Sequence, residues 1–326
     1  MNEIEIIDRT IFVGGPPRSG TTFAAKSLNH HPGIVAAIDD HVYECWGLYY
    51  YRDRVGLVQE LRARNLTSEE VKESLKNHLI TDNQLIGAAP SIKTADCSQV
   101  AKIDSPYPGS VRSVLDKDLG RHVIPLEQFS NSWRLCLKSP EISFVLPQLA
   151  GHFPDSRFVL VYRPVSEIAE SMYRIGNLVK RFPVFHQRWL QEKDDSGKLL
   201  PPPGVPAEWN ILWQKASDFQ RCVVYAASYI RGMLEGVNQL SPERYLIYNH
   251  ADLRNAPDRI YQRLADFLNI DASGFQTAVT QLKTDLPSIP PGLTDEYFEV
   301  EAELALKMMI KQIATLATGE HGHSQT

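Results

Sequence analysis

Apolar and polar positions along the chain fall into two patterns. Short, mostly apolar runs end in glycine or a cation, and longer stretches carry apolar residues at helical spacing. The first run, Thr10–Gly15, predicts a strand, and Thr21–Asn29 predicts the helix that follows it. Arg134–Lys138 and Arg157–Tyr162 are β-rich runs that flank an apolar helical pattern, Ile142–Phe153. Such a βαβ unit implies parallel strands, since strands joined by a helical crossover run the same way. Arg244–Ile270 reads as a strand followed by a helix. Helical patterns also cover Tyr51–Leu79, Ala207–Leu240 and Thr294–Ala317, the last with an acidic first turn. Within Tyr51–Leu79, Thr67-Ser68-Glu69-Glu70 spells a capping box for the second half. Leu85–Ala89 is a further candidate strand.

Between these elements lie irregular stretches. Cys97–Gly109 is polar and reads as a loop over the site. Lys193–Pro206 is charged, then carries three consecutive prolines and a Gly-Val-Pro, which predicts a lid or linker. Leu282–Leu293 is a second Pro-rich loop. The expectation is an α/β protein of the P-loop type, three layers with a central parallel sheet flanked by helices. One domain spans 1–318 and a frayed tail follows over 319–326.

The chemistry concentrates in Ile11–His31, IFVGGPPRSGTTFAAKSLNHH. A strand feeding a tight loop at a helix N-terminus gathers backbone N–H groups and the positive end of the helix dipole, which suits an anion. The spacing nearly matches the nucleotide loop G-x-x-x-x-G-K-[ST], through Gly15, Gly20, Thr21 and Thr22. The lysine is missing. Thr21 stands in its place, and the positive charge has moved back to Arg18. A phosphate-like group can bind here, without the lysine that ATPases and kinases place on the β/γ-phosphates.

Two more cations close strands. Lys138 ends one run and Arg163 follows the other. Ligands of parallel sheets sit at the C-terminal ends of the strands, so both should face the crevice of the first loop. Arg163-Pro164 opens a helix, with Ser171 eight residues on. An arginine fork with a hydroxyl suits a phosphate monoester.

These motifs resemble those of the sulfotransferases that use 3′-phosphoadenosine-5′-phosphosulfate (PAPS), and the bacterial and tyrosylprotein-sulfotransferase-like branch is most similar. The resemblance places the 5′-phosphosulfate loop on Pro17-Arg18-Ser19-Gly20-Thr21-Thr22 and the 3′-phosphate motif on Arg163 and Ser171. The lysine of a K-x-P strand end falls on Lys138-Ser139-Pro140. Tyr248 falls on the tyrosine of the family's YE-x-L segment, where Asn249 replaces the glutamate. A nucleotide-closing loop of the family makes Lys283 a candidate contact. The resemblance implies PAPS as donor, its desulfonated form 3′-phosphoadenosine-5′-phosphate (PAP) as product, and in-line transfer to a hydroxyl or amine. The acceptor expected is a small molecule, such as a natural-product metabolite.

Sulfuryl transfer needs cations on the transferring and leaving oxygens, which points to Arg18 and Lys138. Backbone N–H groups from Ser19 to Thr22 should hold the 5′-phosphate, and no metal is required. It also needs a base for the acceptor proton. One branch of the family uses a histidine in K-x-H, but Pro140 stands there. Another uses a glutamate beyond an HP turn. Here His31-Pro32 is followed by Asp39-Asp40-His41, which puts Asp40 first as base, then Asp39, then His41. Asp40 could instead cap a helix starting at His41.

Composition narrows the partners. The 326 residues are 43% hydrophobic and carry a net charge of −5, with no long basic block, so nucleic acid is an improbable partner. No apolar run reaches the length of a membrane span. The acidic start MNEIEIIDRT lacks a signal-peptide core, and Cys45, Cys97, Cys136 and Cys222 show no C-x-x-C spacing. Both features suggest a cytoplasmic protein with reduced thiols. Two other classes share this pattern: a kinase or NTPase, disfavoured by the missing loop lysine, and a non-catalytic nucleotide-binding relative.

Overall fold

The structure is a computed structural model that describes residues 7–31, 33–38, 67–81, 84–86, 114–116, 121–125, 133–178, 193, 196–202, 204–275 and 293–318. Its strands are β1 (Ile11–Gly14), β2 (Ile34–Ile38), β3 (Ile80–Thr81), β4 (Gln84–Ile86), β5 (Val114–Asp116), β6 (Arg121–Pro125), β7 (Arg134–Lys138), β8 (Arg157–Tyr162) and β9 (Tyr245–Asn249). Its α-helices are α1 (Thr21–Asn29), α2 (Ser68–Leu79), α3 (Leu146–His152), α4 (Val165–Leu178), α5 (Asn210–Lys215), α6 (Asp218–Val237), α7 (His250–Asn255), α8 (Pro257–Leu268), α9 (Thr294–Glu303) and α10 (Leu306–Thr318).

A five-stranded parallel sheet in the order β2-β7-β1-β8-β9 forms the centre. Its inner strands are apolar along their length because both faces are covered, as in parallel sheets generally. Ile11, Phe12 and Val13 in β1 and Phe158 to Val161 in β8 are wholly buried. Phe12 packs between the rings of Phe153 at 5.4 Å and Phe158 at 5.5 Å. This is the α/β, P-loop-type architecture that the sequence predicts.

Helix boundaries follow local chemistry. The capping box at α2 forms as written: Thr67 N–H donates to Glu70 Oε2 at 2.8 Å, and Glu70 N–H donates to Thr67 Oγ1 at 3.2 Å. Four predicted helices are broken, among them the one within Arg244–Ile270, which divides at Ala256 into α7 and α8. Ala207–Leu240 divides into a 3₁₀ turn, α5 and α6, because Ser217 and Gln220 make a second capping box that starts α6 afresh. Ile142–Phe153 divides into a 3₁₀ turn, Pro140–Phe144, and α3, with Val145 out of helical geometry between them. Thr294–Ala317 divides at Leu304–Ala305, where Ala305 takes φ 51°.

A second, antiparallel sheet, β3-β4-β6-β5, has no counterpart in the expectation beyond the candidate strand at Leu85–Ala89, which overlaps β4. In the Pro-rich stretch, Lys193 and Leu199 pair as an isolated bridge. Further on, Gly204 packs against the ring of Phe144, which also meets Gly232 of α6. Cys97–Gly109 and Leu282–Pro291 lie outside the described residues.

Candidate active site

The strand order turns over at β1, which lies between β7 and β8. At such a switch point the connections leave in opposite directions and open a crevice at the C-terminal edge. Register brings the candidate residues to this edge. Val13 pairs with Lys138, Ile38 pairs with Lys138 from the other side, and Tyr162 pairs with Asn249. The loop after β1, Lys138, Arg163 and the start of α7 therefore emerge together.

The loop needs unusual backbone at three positions. Gly15 has φ 135°, and a Cβ there would lie 2.0 Å from the Val161 carbonyl oxygen. Arg18 has φ 69°, a left-handed conformation that costs a non-glycine residue about 1 kcal/mol or more. Gly20 has φ 100° and stands at the N-cap of α1, where no side chain caps the first turn. The N–H groups of that turn are thus left for an anion. The turn after β7 braces the loop from below. Gly15 N–H donates to Ser143 Oγ at 3.1 Å, and Ser139 N–H donates to the Val13 carbonyl at 3.0 Å. That turn is tied to α6: Ser139 Oγ donates to Glu141 Oε2 at 2.8 Å, and Tyr229 OH donates to Glu141 Oε1 at 3.4 Å.

The cations interlock. Arg18 Nε donates to Ser171 Oγ at 3.3 Å, across 153 residues of sequence. Arg163 Nη1 donates to the Arg18 carbonyl at 3.1 Å, and its other nitrogens grip Glu167 Oε2 at 3.1 and 2.7 Å. The two phosphate motifs read separately in the sequence are thus one connected group. Arg18 is exposed, yet the protein packed around its guanidinium and the neighbouring Arg163 charge both lower its pKa. Lys138 is 8% exposed and has no carboxylate partner among the described residues. Three cations with one engaged carboxylate leave an excess of positive charge that favours an anionic ligand.

Polar atoms left over point the same way. Ser19 is wholly buried and its Oγ has no hydrogen-bond partner in the described structure. His250, at the start of α7, also keeps a buried, unpartnered Nδ1. Burial, then the charges of Arg163 and Arg254, push its pKa down to about 4. Neither His250 nor Ser143 holds a specified position of a sequence motif. The signal available for His250 was its place directly after a strand end. Thr21 is buried and Thr22 exposed, as the first helical turn requires.

Tyr248 lies in the core, 1% exposed, with Tyr261 and Cys136 nearby and its hydroxyl pKa raised first by burial. Asp39, Asp40, His41 and Lys283 lie outside the described residues. His30 is the C-cap of α1. His31 Nδ1 accepts the Gly33 N–H at 3.0 Å and its ring meets Phe275 at 5.5 Å.

Among solved structures, the chain is similar to a sulfotransferase from Alicyclobacillus acidocaldarius, at 12% identity and TM-score 0.47 over 95% of this chain and 96% of that one. It is similar to the sulfotransferase domain from the curacin biosynthetic pathway, at 16% identity and TM-score 0.44 over 91% and 97%. A sulfotransferase from Mycobacterium avium matches at 14% identity and TM-score 0.47 over 93% and 78%. No curated protein is significantly similar in sequence. The family model described as the sulfotransferase family matches residues 10–194, more than half of the chain and the part that holds the loop, Lys138, Arg163 and Ser171, and the chain belongs to that family.

Proposed function

We propose that this sulfotransferase moves a sulfuryl group from PAPS to a hydroxyl of a small-molecule acceptor. One observation carries the reading: Arg18, Lys138 and the Arg163/Ser171 pair come from separate stretches and meet at one sheet edge, beside a helix N-terminus that no side chain caps. The family implies PAPS as donor. The site fits a donor with anionic groups, because Ser19 Oγ lacks a partner and the cations outnumber the carboxylates.

PAPS supplies an already electrophilic sulfuryl group on a phosphate leaving group. The residues then divide the work. Arg163 and Ser171 hold the 3′-phosphate, which sets the nucleotide's register. The first-turn N–H groups of α1, with Ser19 and Thr22, hold the 5′-phosphate. Lys138 and Arg18 neutralise the charge that grows on the leaving oxygen, the differential interaction that lowers a barrier. Asp40 takes the acceptor proton, with Asp39 and then His41 behind it. The chain reaches these residues directly after Ile38, which pairs with Lys138. Lys283 closes on the nucleotide, whereas Tyr248, expected as a cofactor contact, lies buried in the core.

The test is product analysis by mass spectrometry after incubation with PAPS and a small-molecule extract. The expected result is an acceptor that gains one sulfuryl group as PAP accumulates. Tight PAP binding with no sulfated product under any condition would overturn the transfer reading.

A further inference from the structure

His250 holds only the unspecified position after Asn249 in the YE-x-L segment, yet it stands at the candidate anion-binding edge. It follows Asn249, the partner of Tyr162, so His250 and Arg163 leave adjacent strands side by side. Its ring lies against Gly20, where the loop becomes α1; a Cβ at Gly20 would fall 2.5 Å from Nδ1. Phe23 of α1 meets the ring edge-on, at 5.9 Å and 71°. Nδ1 is buried and has no partner among the described residues.

The charges around the ring are mostly positive. Arg163 faces it from the end of β8 and Arg254 from its own helix, and both oppose a proton on it. Arg18 in the loop adds positive charge beside Arg163. Glu167 of α4 is engaged by Arg163, and Asp252 of α7 acts on Tyr162 and Arg263. The ring is therefore held neutral near neutral pH, and it keeps a buried nitrogen unsatisfied. An anion in front of Arg18 and Arg163 would reverse this electrostatic setting.

We propose that His250 is a positioning residue through which the loop responds to its donor: it braces Gly20, and when the donor's phosphates fill the space before Arg18 and Arg163 it takes up a proton and adds a third cation to their clamp. The proposal rests on the PAPS reading. The proton comes from solvent and adds to the ring nitrogen that lacks one; no bond of the nucleotide breaks. The sign follows from linkage. A group whose pKa is higher in the complex binds a proton on association, so association strengthens as pH falls through the pKa of the complex. The nucleotide's own phosphates act the other way, since they lose charge as pH falls.

The experiment follows the ring nitrogen signals of histidine-labelled protein against pH, with and without saturating PAP, and identifies His250 by the signal lost in His250→Gln. The expected result is a His250 titration at higher pH in the complex than in the free protein. Calorimetry in two buffers of different ionisation heat should show proton uptake that His250→Gln lacks. Between about pH 8 and pH 6 the wild type should gain roughly ten-fold in PAP affinity relative to His250→Gln. A merely structural role would weaken binding by the same factor at every pH. An unchanged His250 titration with PAP bound overturns the proposal. If PAP does not bind at all, the donor reading falls instead, and the same titration with inorganic pyrophosphate decides whether His250 answers an anion.

Discussion

At the N-terminal edge of the central sheet, Arg9, Arg134, Arg157 and Arg244 stand at the starts of β1, β7, β8 and β9; at the C-terminal edge stand Arg18, Lys138 and Arg163. Both edges crowd positive charge. The pKa of Arg134 is lowered by burial and then by Arg157 and Arg9, much as Arg18 is lowered by burial and Arg163. The difference lies in what the donors touch. Arg244 Nε donates to the Ser156 carbonyl at 2.9 Å, and its Nη2 donates to the Phe153 carbonyl at 2.9 Å and to Ser156 Oγ at 3.0 Å. Arg157 donates to the Glu243 carbonyl and stacks 5.5 Å from the Phe267 ring. These arginines tie loops to the sheet. At the other edge Lys138 lacks a carboxylate among the described residues, while Ser19 Oγ and His250 Nδ1 lack partners. An arginine cluster by itself says little; unsatisfied polar atoms around it distinguish a site from a seam.

Substitutions at the two edges should separate activity from stability. The largest effect is expected for Asp40→Asn, which keeps the shape and removes the base: kcat should fall about 10²–10⁴-fold with both substrates still bound. Near-normal turnover in steady-state assays would pass the role to Asp39 and then His41. Lys138→Ala should lower kcat roughly a hundred-fold or more while PAP affinity stays within a few-fold, because its contact strengthens in the transition state. Loss of donor affinity with turnover intact at saturation would reverse the division of labour between strand end and loop. Arg163→Ala should weaken PAP about ten- to a hundred-fold, from a charged hydrogen-bond contribution of ~1.5–3 kcal/mol, and leave ADP little changed. Calorimetry that finds the two nucleotides equal in the wild type would remove the 3′-phosphate assignment.

The smallest effect on catalysis belongs to the opposite edge. Arg244→Ala should cost about 1.5–3 kcal/mol of stability, read by urea unfolding, because two carbonyls lose a charged donor. Its kcat/KM should match the wild type at a temperature where both are folded. A catalytic loss as large as that of Lys138→Ala would erase the distinction between the two edges.

How much was legible in the sequence depended on range. The strands Arg134–Lys138 and Arg157–Tyr162, the helix Thr21–Asn29 and the capping box at Thr67–Glu70 are local matters, fixed by apolar runs, a strand-ending cation and a side chain three residues from its partner. The break before α6 was equally local, since Ser217-Asp218-Phe219-Gln220 spells a capping box, but the apolar periodicity running through it hid the signal. Of the second sheet only the strand overlapping Leu85–Ala89 was legible. The strands of this sheet are two to five residues long, too short to display a period, and exist through pairing with one another.

By itself the sequence determined which residues are candidates for the chemistry and that Lys138 and Arg163 stand at the ends of parallel strands, because charge, residue type and periodicity are properties of neighbouring positions. Only the tertiary structure decided that Arg18 meets Ser171, that Arg163 closes on the Arg18 carbonyl, that Ser143 braces Gly15 and that His250 lies on Gly20. Those contacts join distant stretches. Their formation depends on strand order and on close packing across the sheet, which no local pattern encodes.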